Sequence, residues 1–384
     1  MYLFRARAQQ KVFNNALCCP QIFSRGTSRS CTRLAARRSK CRRLLAQPRV
    51  QCRARTIGCR ARRRAHTWCT RATGHVARGA QSYSLCTREQ MGNTASCSEL
   101  DTALLAAAAI GDGPPEVRRL LEAGANKEAA KAQGWTPLFI ACAQGHEAFV
   151  RVMLAAGANM EVVADEGWTP LLIACSNGHE GCVRAMLWAG ANKEAKNKYG
   201  ATGMYIACFN GHAGCVRALL GAGANKEAKN KEGATPLYTA CEKGHAACVR
   251  ALLGAGANVD ATTKFGSMPM HIACFNGHEA CVRALLEVGA NKEAAEKSLG
   301  ATPLYIACQN GHEACVRALL EAGANKEAAS INGATSLHMA CQSGHVECVR
   351  LLLEASAYLE SLNKNGATPL YSACQNDSAR THAS

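Results

Sequence analysis

Residues 300–327 read Gly-Ala-Thr-Pro-Leu-Tyr-Ile-Ala-Cys-Gln-Asn-Gly-His-Glu-Ala-Cys-Val-Arg-Ala-Leu-Leu-Glu-Ala-Gly-Ala-Asn-Lys-Glu, and the chain repeats this run with small changes. Other units open at Gly134, Gly167, Gly200, Gly233, Gly266, Gly333 and Gly366, 33 residues apart except for a step of 34 from Gly266 to Gly300. A less regular unit fills about Asp101 to Gln133, so residues 101–384 are expected to hold eight complete units and a truncated last one. Thr302 is suited to cap a helix and Pro303 to start it, because one accepts from an orphan amide and the other presets φ. Gly311 ends that helix about eight residues later. His312 and Glu313 open a second, whose Cys315, Val316, Leu319 and Leu320 share a face at spacings of three and four. Gly323 stops it, and a polar excursion leads to the next opening glycine. The same phase predicts Leu253 as a core residue in mid-array.

Two short helices have no further layer to cover their apolar face, so each unit must lean on its neighbours. The expected fold is an all-α repeat solenoid of stacked helix-turn-helix units with projecting fingers. These motifs, Thr-Pro-Leu, Gly-His and Leu-Leu-x-x-Gly-Ala in register on a 33-residue period, resemble the ankyrin repeat over about Asp101 to Ser384. The resemblance implies antiparallel helix pairs, β-hairpin fingers, and a concave strip of fingertips and first-helix ends that binds protein partners. Departures mark weaker helix starts: Gly203 and Ser336 stand at the proline position and Met268 at the threonine position. Ser356 replaces the stop glycine of the last complete unit, and fraying is expected from there onward.

The chain has 384 residues and a formal charge of +17, and the excess lies at one end. Residues 1–90 contain nineteen Arg and a single acid, Glu89, whereas residues 91–384 contain three more acids than bases. Such a basic, acid-poor, aperiodic segment is expected to be disordered. It resembles a transit peptide, and its Arg clusters are also suited to nucleic acid or nuclear targeting. Met91-Gly92-Asn93-Thr94-Ala95-Ser96 fits the myristoylation pattern and precedes the first unit. Residues 1–90 are therefore also readable as a mis-assigned upstream stretch, with 91–100 as a short leader. In that case Gly92 and Cys97 are candidate lipid sites for peripheral membrane anchoring. The apolar run Ala103 to Ile110 is far short of a membrane span.

Six units carry two cysteines seven apart with a histidine between, as in Cys208, His212 and Cys215. Structural zinc favours tighter pairs, and Phe149 fills the second cysteine slot in one unit, which marks the slot as apolar. No metal, cofactor or catalytic residue is expected. The array carries its own core, so its fourteen cysteines point to a reducing, cytoplasmic setting rather than to a disulfide framework. The alternatives are an organelle or nucleus reached through the basic N-terminus, or a lipid anchor. Arg118, Arg151, Arg184, Arg217, Arg250, Arg283, Arg317 and Arg350 oppose the leucine face and are expected to line the outer side.

The aromatic residues at positions where the units differ are the candidate partner-binding residues: Trp135, Trp168, Tyr199 and Phe265 on fingers, and Phe209 and Phe275 at first-helix ends. The function expected is a monomeric, non-enzymatic interaction scaffold for protein partners. The alternative is a protein targeted to an organelle or associated with nucleic acid, in which residues 1–90 carry the binding.

Overall fold

The computed structural model of the protein describes residues 97–374. Residues 1–90, Gly92 and the rest of the leader up to Ser96 lie outside them. The first helix, α1 (Cys97–Ile110), begins four residues ahead of Asp101 and pairs with α2 (Pro114–Glu122). The units that follow are α3 (Pro137–Gln144) with α4 (Glu147–Ala155), α5 (Pro170–Asn177) with α6 (Glu180–Trp188), and α7 (Gly203–Asn210) with α8 (Ala213–Gly221). Next come α9 (Pro236–Lys243) with α10 (Ala246–Gly254), α11 (Pro269–Asn276) with α12 (Glu279–Glu287), and α13 (Pro303–Asn310) with α14 (Glu313–Glu321). The series continues with α15 (Ser336–Ser343) and α16 (Val346–Glu354), and residues 369–374 form the helical start of a further unit, α17. Odd-numbered helices pack on odd and even on even, from α1 to α16, so each unit is one layer of a stack.

Small side chains set the spacing of the first-helix file. Ala141, Cys142, Ala174, Cys175, Ala207, Cys208, Ala240 and Cys241 are all fully buried at the helix contacts. A free cysteine there acts as a small hydrophobe. Cys215, Val216 and Leu219 of α8, with their counterparts, fill the space between the two files. One leucine of the Leu-Leu pair was placed wrongly by the helical phase. Leu252 is fully buried, and Leu253 only flanks the core, because the second of the two positions has rotated toward the surface.

Polar bonds fix the register between layers. Glu194 accepts from the Asn225 amide at 2.7 Å and Glu227 from the Asn258 amide at 2.8 Å, with the same pairing continuing to Glu327 and Tyr358. A second ladder runs through the histidines. His245 donates from Nε2 to the Phe209 carbonyl at 3.2 Å, and its ring lies over Gly211, where a Cβ would meet ring atoms at 2.6 Å. Gly211 also has φ of 83°, so the Gly-His pair is one device split over two layers: the glycine turns the chain and leaves room for the next unit's imidazole.

The three units with altered helix starts keep eight-residue first helices. In two of them a histidine in the first turn bonds back to the residue that precedes the helix. His271 Nδ1 accepts from the Met268 amide at 3.1 Å while its Nε2 donates to the Ala294 carbonyl at 2.8 Å. His338 makes the same pair of bonds with the Thr335 amide and the Ala367 carbonyl. Ser356 adopts φ of 61° in the place of the stop glycine, and the finger after it keeps its closing bond from the Asn363 amide to the Ala367 carbonyl at 3.0 Å.

Candidate partner-binding strip

Each finger is a hairpin reduced to a turn. The Asn197 amide donates to the Ala201 carbonyl, Asn230 to Ala234 and Thr263 to Ser267, all at 3.0–3.1 Å. In the longer unit the Glu296 amide reaches the Ala301 carbonyl instead, so the residue added in the 34-residue step sits at the fingertip and leaves the layers on either side in register. Asn197, Asn230 and Asn363 tighten their own turns, each side-chain oxygen accepting from two amides further along. Neighbouring tips are tied through the backbone, with the Lys198 amide bonded to the Glu166 carbonyl, Lys264 to Glu232, Ile331 to Leu299 and Lys364 to Asn332. The tips are therefore braced to one another at four of the gaps between them.

The structure distributes the aromatic candidates unequally along this strip. Phe265 stands 65% exposed at a fingertip, while Trp135 is 37% exposed and stacks on Phe139 with centroids 5.7 Å apart. Trp168 and Phe209 come together on a satellite cluster of Leu172, Ala201, Tyr205 and Ile206. Tyr199 is half-buried and donates its hydroxyl to Glu166 at 2.8 Å. Phe275 is half-buried against the main core, away from that cluster. Cys97 is the first residue of α1, and its side chain lies outside the description, as does Gly92.

The strip also holds residues that the aromatic search passed over. Lys243 places its ammonium 4.5 Å from the centroid of the Phe209 ring and pairs with Glu242 at 3.2 Å. Burial pushes the Glu242 carboxyl up, and the Lys243 charge beside it pulls the other way. Lys198, Lys231, Lys264 and Lys297 occupy successive fingertips and are exposed, with Leu299 and Ile331 beside them. The sequence signal for that row was a 33-residue lysine period. Trp188, 90% exposed at the end of α6, falls outside the strip, at a position held by Ala155, Gly221 and Gly254 in other units.

Most of the cysteines are buried, while Cys374 is exposed. Burial pushes the thiols of Cys182, Cys215 and Cys315 up to about 12, so they stay neutral and poor nucleophiles. Burial likewise holds His245 and His278 below the ordinary histidine value, against the opposing pull of their bonds to backbone carbonyls. Among the described residues no cluster of His, Cys, Asp and Glu is arranged to hold a metal ion, and no helix is long and apolar enough to cross a membrane. The outer arginines are exposed. Arg151 pairs with Glu147 at 2.7 Å and Arg283 with Glu279 at 2.8 Å, both solvated pairs on the outer face.

A family profile described as "Ankyrin repeats (3 copies)" matches residues 85–164, 104–197, 186–263, 248–330 and 325–381. Among solved structures, the chain is similar to the ankyrin repeat domain of human ASB11 at 30% identity and a TM-score of 0.52. That match covers 58% of this chain and 99% of the other. It is similar also to the ankyrin repeat domain of Bcl-3, a member of the IkappaB protein family, at 30% identity and a TM-score of 0.51, over 56% of this chain and all of the other. No curated protein matches the chain.

Proposed function

Since this chain belongs to the ankyrin repeat family, we propose that its array is a non-enzymatic scaffold that holds protein partners against the strip of fingertips and first-helix ends. Ankyrin repeat domains are in general protein–protein interaction modules. One observation carries the finer reading: at positions where the near copies differ, this strip carries the exposed Phe265, Leu299 and Ile331 on neighbouring fingers, whereas Trp188 stands apart at the end of α6. Aromatic side chains give a large contact area for little conformational entropy. Phe209, capped by Lys243, offers a second contact that combines a ring with a charge.

The test is affinity capture with the full chain and with Phe209→Ala, Phe265→Ala and Phe275→Ala combined, using melting curves to confirm that the stack is intact. Partners held by the strip are lost from the variant. Equal recovery with an intact fold rejects the strip. We propose further that the chain acts as a monomer, which sedimentation checks, and in a reducing compartment such as the cytoplasm. The cysteines from Cys142 to Cys348, none of them in a disulfide, support that compartment. A second reading rests on the nineteen Arg of residues 1–90, which would bind nucleic acid through phosphates or direct the chain to an organelle. Salt separates the two modes, because phosphate contacts weaken steeply between 50 and 200 mM salt, as a general property of such binding, whereas ring-anchored contacts persist.

A further inference from the structure

The lysine row identifies a class of partner. Lys231, Lys264 and Lys297 sit at successive fingertips, and Lys229 joins them beside an open cleft of about 800 Å³ lined by Lys229, Asn230, Lys231, Thr262, Thr263 and Lys264. Lys198, one finger earlier, is paired with Glu166. Lys229, Lys231, Lys264 and Lys297 have no ion-pair partner among the described residues, although Lys231 donates to the Lys198 carbonyl at 2.7 Å and Lys229 to the Thr262 carbonyl at 3.3 Å. These two bonds lay the Lys229 and Lys231 side chains across the gaps between fingers. Exposed apolar groups alternate with them: Phe265 at 65%, Leu299 at 42% and Ile331 at 54%.

We propose that this edge docks an acidic, extended polypeptide segment running across the fingers, with carboxylates on the lysines and apolar side chains on Phe265, Leu299 and Ile331. The proposal rests on the scaffold reading above and adds the chemistry of the partner. Charge complementarity selects an acidic occupant. Three features favour polypeptide over nucleic acid: the cations are lysines without the bidentate fork that suits phosphate, apolar groups are interleaved with them, and residues 91–384 as a whole carry more acid than base. The spacing also fits. Stacked helices lie about 8–10 Å apart, and three residues of an extended polyproline II segment make one turn that rises about 9 Å, so an acid at every third position returns to the same face and meets one lysine per finger.

The experiment uses the full chain and fluorescence anisotropy with a synthetic peptide bearing Glu at every third position and Leu or Val between. Controls are the same peptide with Lys for Glu, an oligonucleotide, and vesicles of anionic lipid. Lys231→Gln, Lys264→Gln and Lys297→Gln are combined in one variant. Lys226→Gln, Lys292→Gln and Lys326→Gln are combined in another, which removes the same charge from the finger bases and leaves residues 1–90 unchanged. The expected result is that the fingertip variant loses affinity for the Glu peptide at least tenfold, the base variant less than threefold, and the Lys peptide does not bind. Equal loss in both variants, or no loss in either, overturns the proposal, as does an oligonucleotide or vesicle whose binding depends more on the fingertip lysines than that of the peptide. If natural partners are lost on replacing the phenylalanines but retained in the fingertip variant, the scaffold reading stands and the acidic-segment proposal falls.

Discussion

Leu237 and Leu370 hold the same place in their units, four residues after the opening glycine, yet Leu237 is 1% exposed and Leu370 is 74% exposed. Six more residues at this place, Leu138, Leu171, Met204, Met270, Leu304 and Leu337, are also 1% exposed. The residue type and the local helix are alike, so burial is a property of the stack and not of the unit. Around Leu237 the layers on both sides are present, whereas beyond α17 no described helix covers Leu370. Neighbouring Tyr371 is 56% exposed against 5% for Tyr205. The interior of a repeat array is stable because each layer completes the next.

The largest effect expected from this contrast is in paired leucine truncations. Leu237→Ala is expected to destabilise the array by about 2–5 kcal/mol, and Leu370→Ala to stay within about 0.5 kcal/mol. Urea unfolding of the two single variants measures both. Comparable losses would mean that the last unit is packed as tightly as the interior, and the comparison would fail.

Glycine gives the next effect in size. At Gly211 a methyl group meets the His245 ring from the following layer, whereas at Gly344 nothing lies within 4 Å. Both have positive φ, 83° and 73°, so Ala at either site carries backbone strain of about 1–2 kcal/mol. The interior site adds the displacement of an imidazole and its bond to the Phe209 carbonyl, which brings Gly211→Ala to about 2–4 kcal/mol. The difference between the two variants, read by thermal unfolding, isolates the contribution of the neighbouring layer.

Most of the fold was legible because each unit writes out its own helix starts, stops and apolar face, and repetition averages away the exceptions. What escaped was whatever depends on the neighbouring layer. Leu252 and Leu253 are identical letters, so only packing decides that the first is buried and the second marginal. His271 and His338 look like ordinary variants of a tyrosine position, and their roles as amide acceptors emerge only with the carbonyls of Ala294 and Ala367 in place. At the strip, aromatic residues announced themselves, but the fingertip lysines read as part of a polar loop until their alignment across fingers was visible. Trp188 gave no signal by period, because its equivalents are Ala, Gly and Glu.

Ser336 is a smaller test. It occupies the first helical position of α15, where Pro137, Pro170, Pro236, Pro269 and Pro303 stand in other units, and its hydroxyl is buried with no hydrogen-bond partner. Ser336→Pro removes that unpaired group and restricts the unfolded chain, for an expected gain of about 1 kcal/mol by chemical unfolding. A loss instead would mean that the α15 start has adapted its backbone to serine, and that the His338 bonds depend on that adaptation.

The smallest effect bears most directly on the terminal unit. Ser356 has φ of 61°, in the region where a side chain costs about 1–2 kcal/mol, and glycine there would recover that cost less the roughly 0.4–1 kcal/mol of freedom it adds to the unfolded chain. The net gain expected for Ser356→Gly is about 0.5 kcal/mol. Gly323, its counterpart one layer inward, has φ of 73° and open space where a Cβ would go, so Gly323→Ser carries the backbone strain without a collision. If backbone conformation alone sets both effects, the two variants shift stability by similar amounts in opposite directions. Hydrogen exchange in α14 and α16 reads each change locally. Should Gly323→Ser destabilise α14 while Ser356→Gly leaves α16 unchanged, the left-handed turn at Ser356 is already open in solution. The boundary between interior and terminal behaviour then lies at α16, one layer inside the place where the exposed Leu370 puts it.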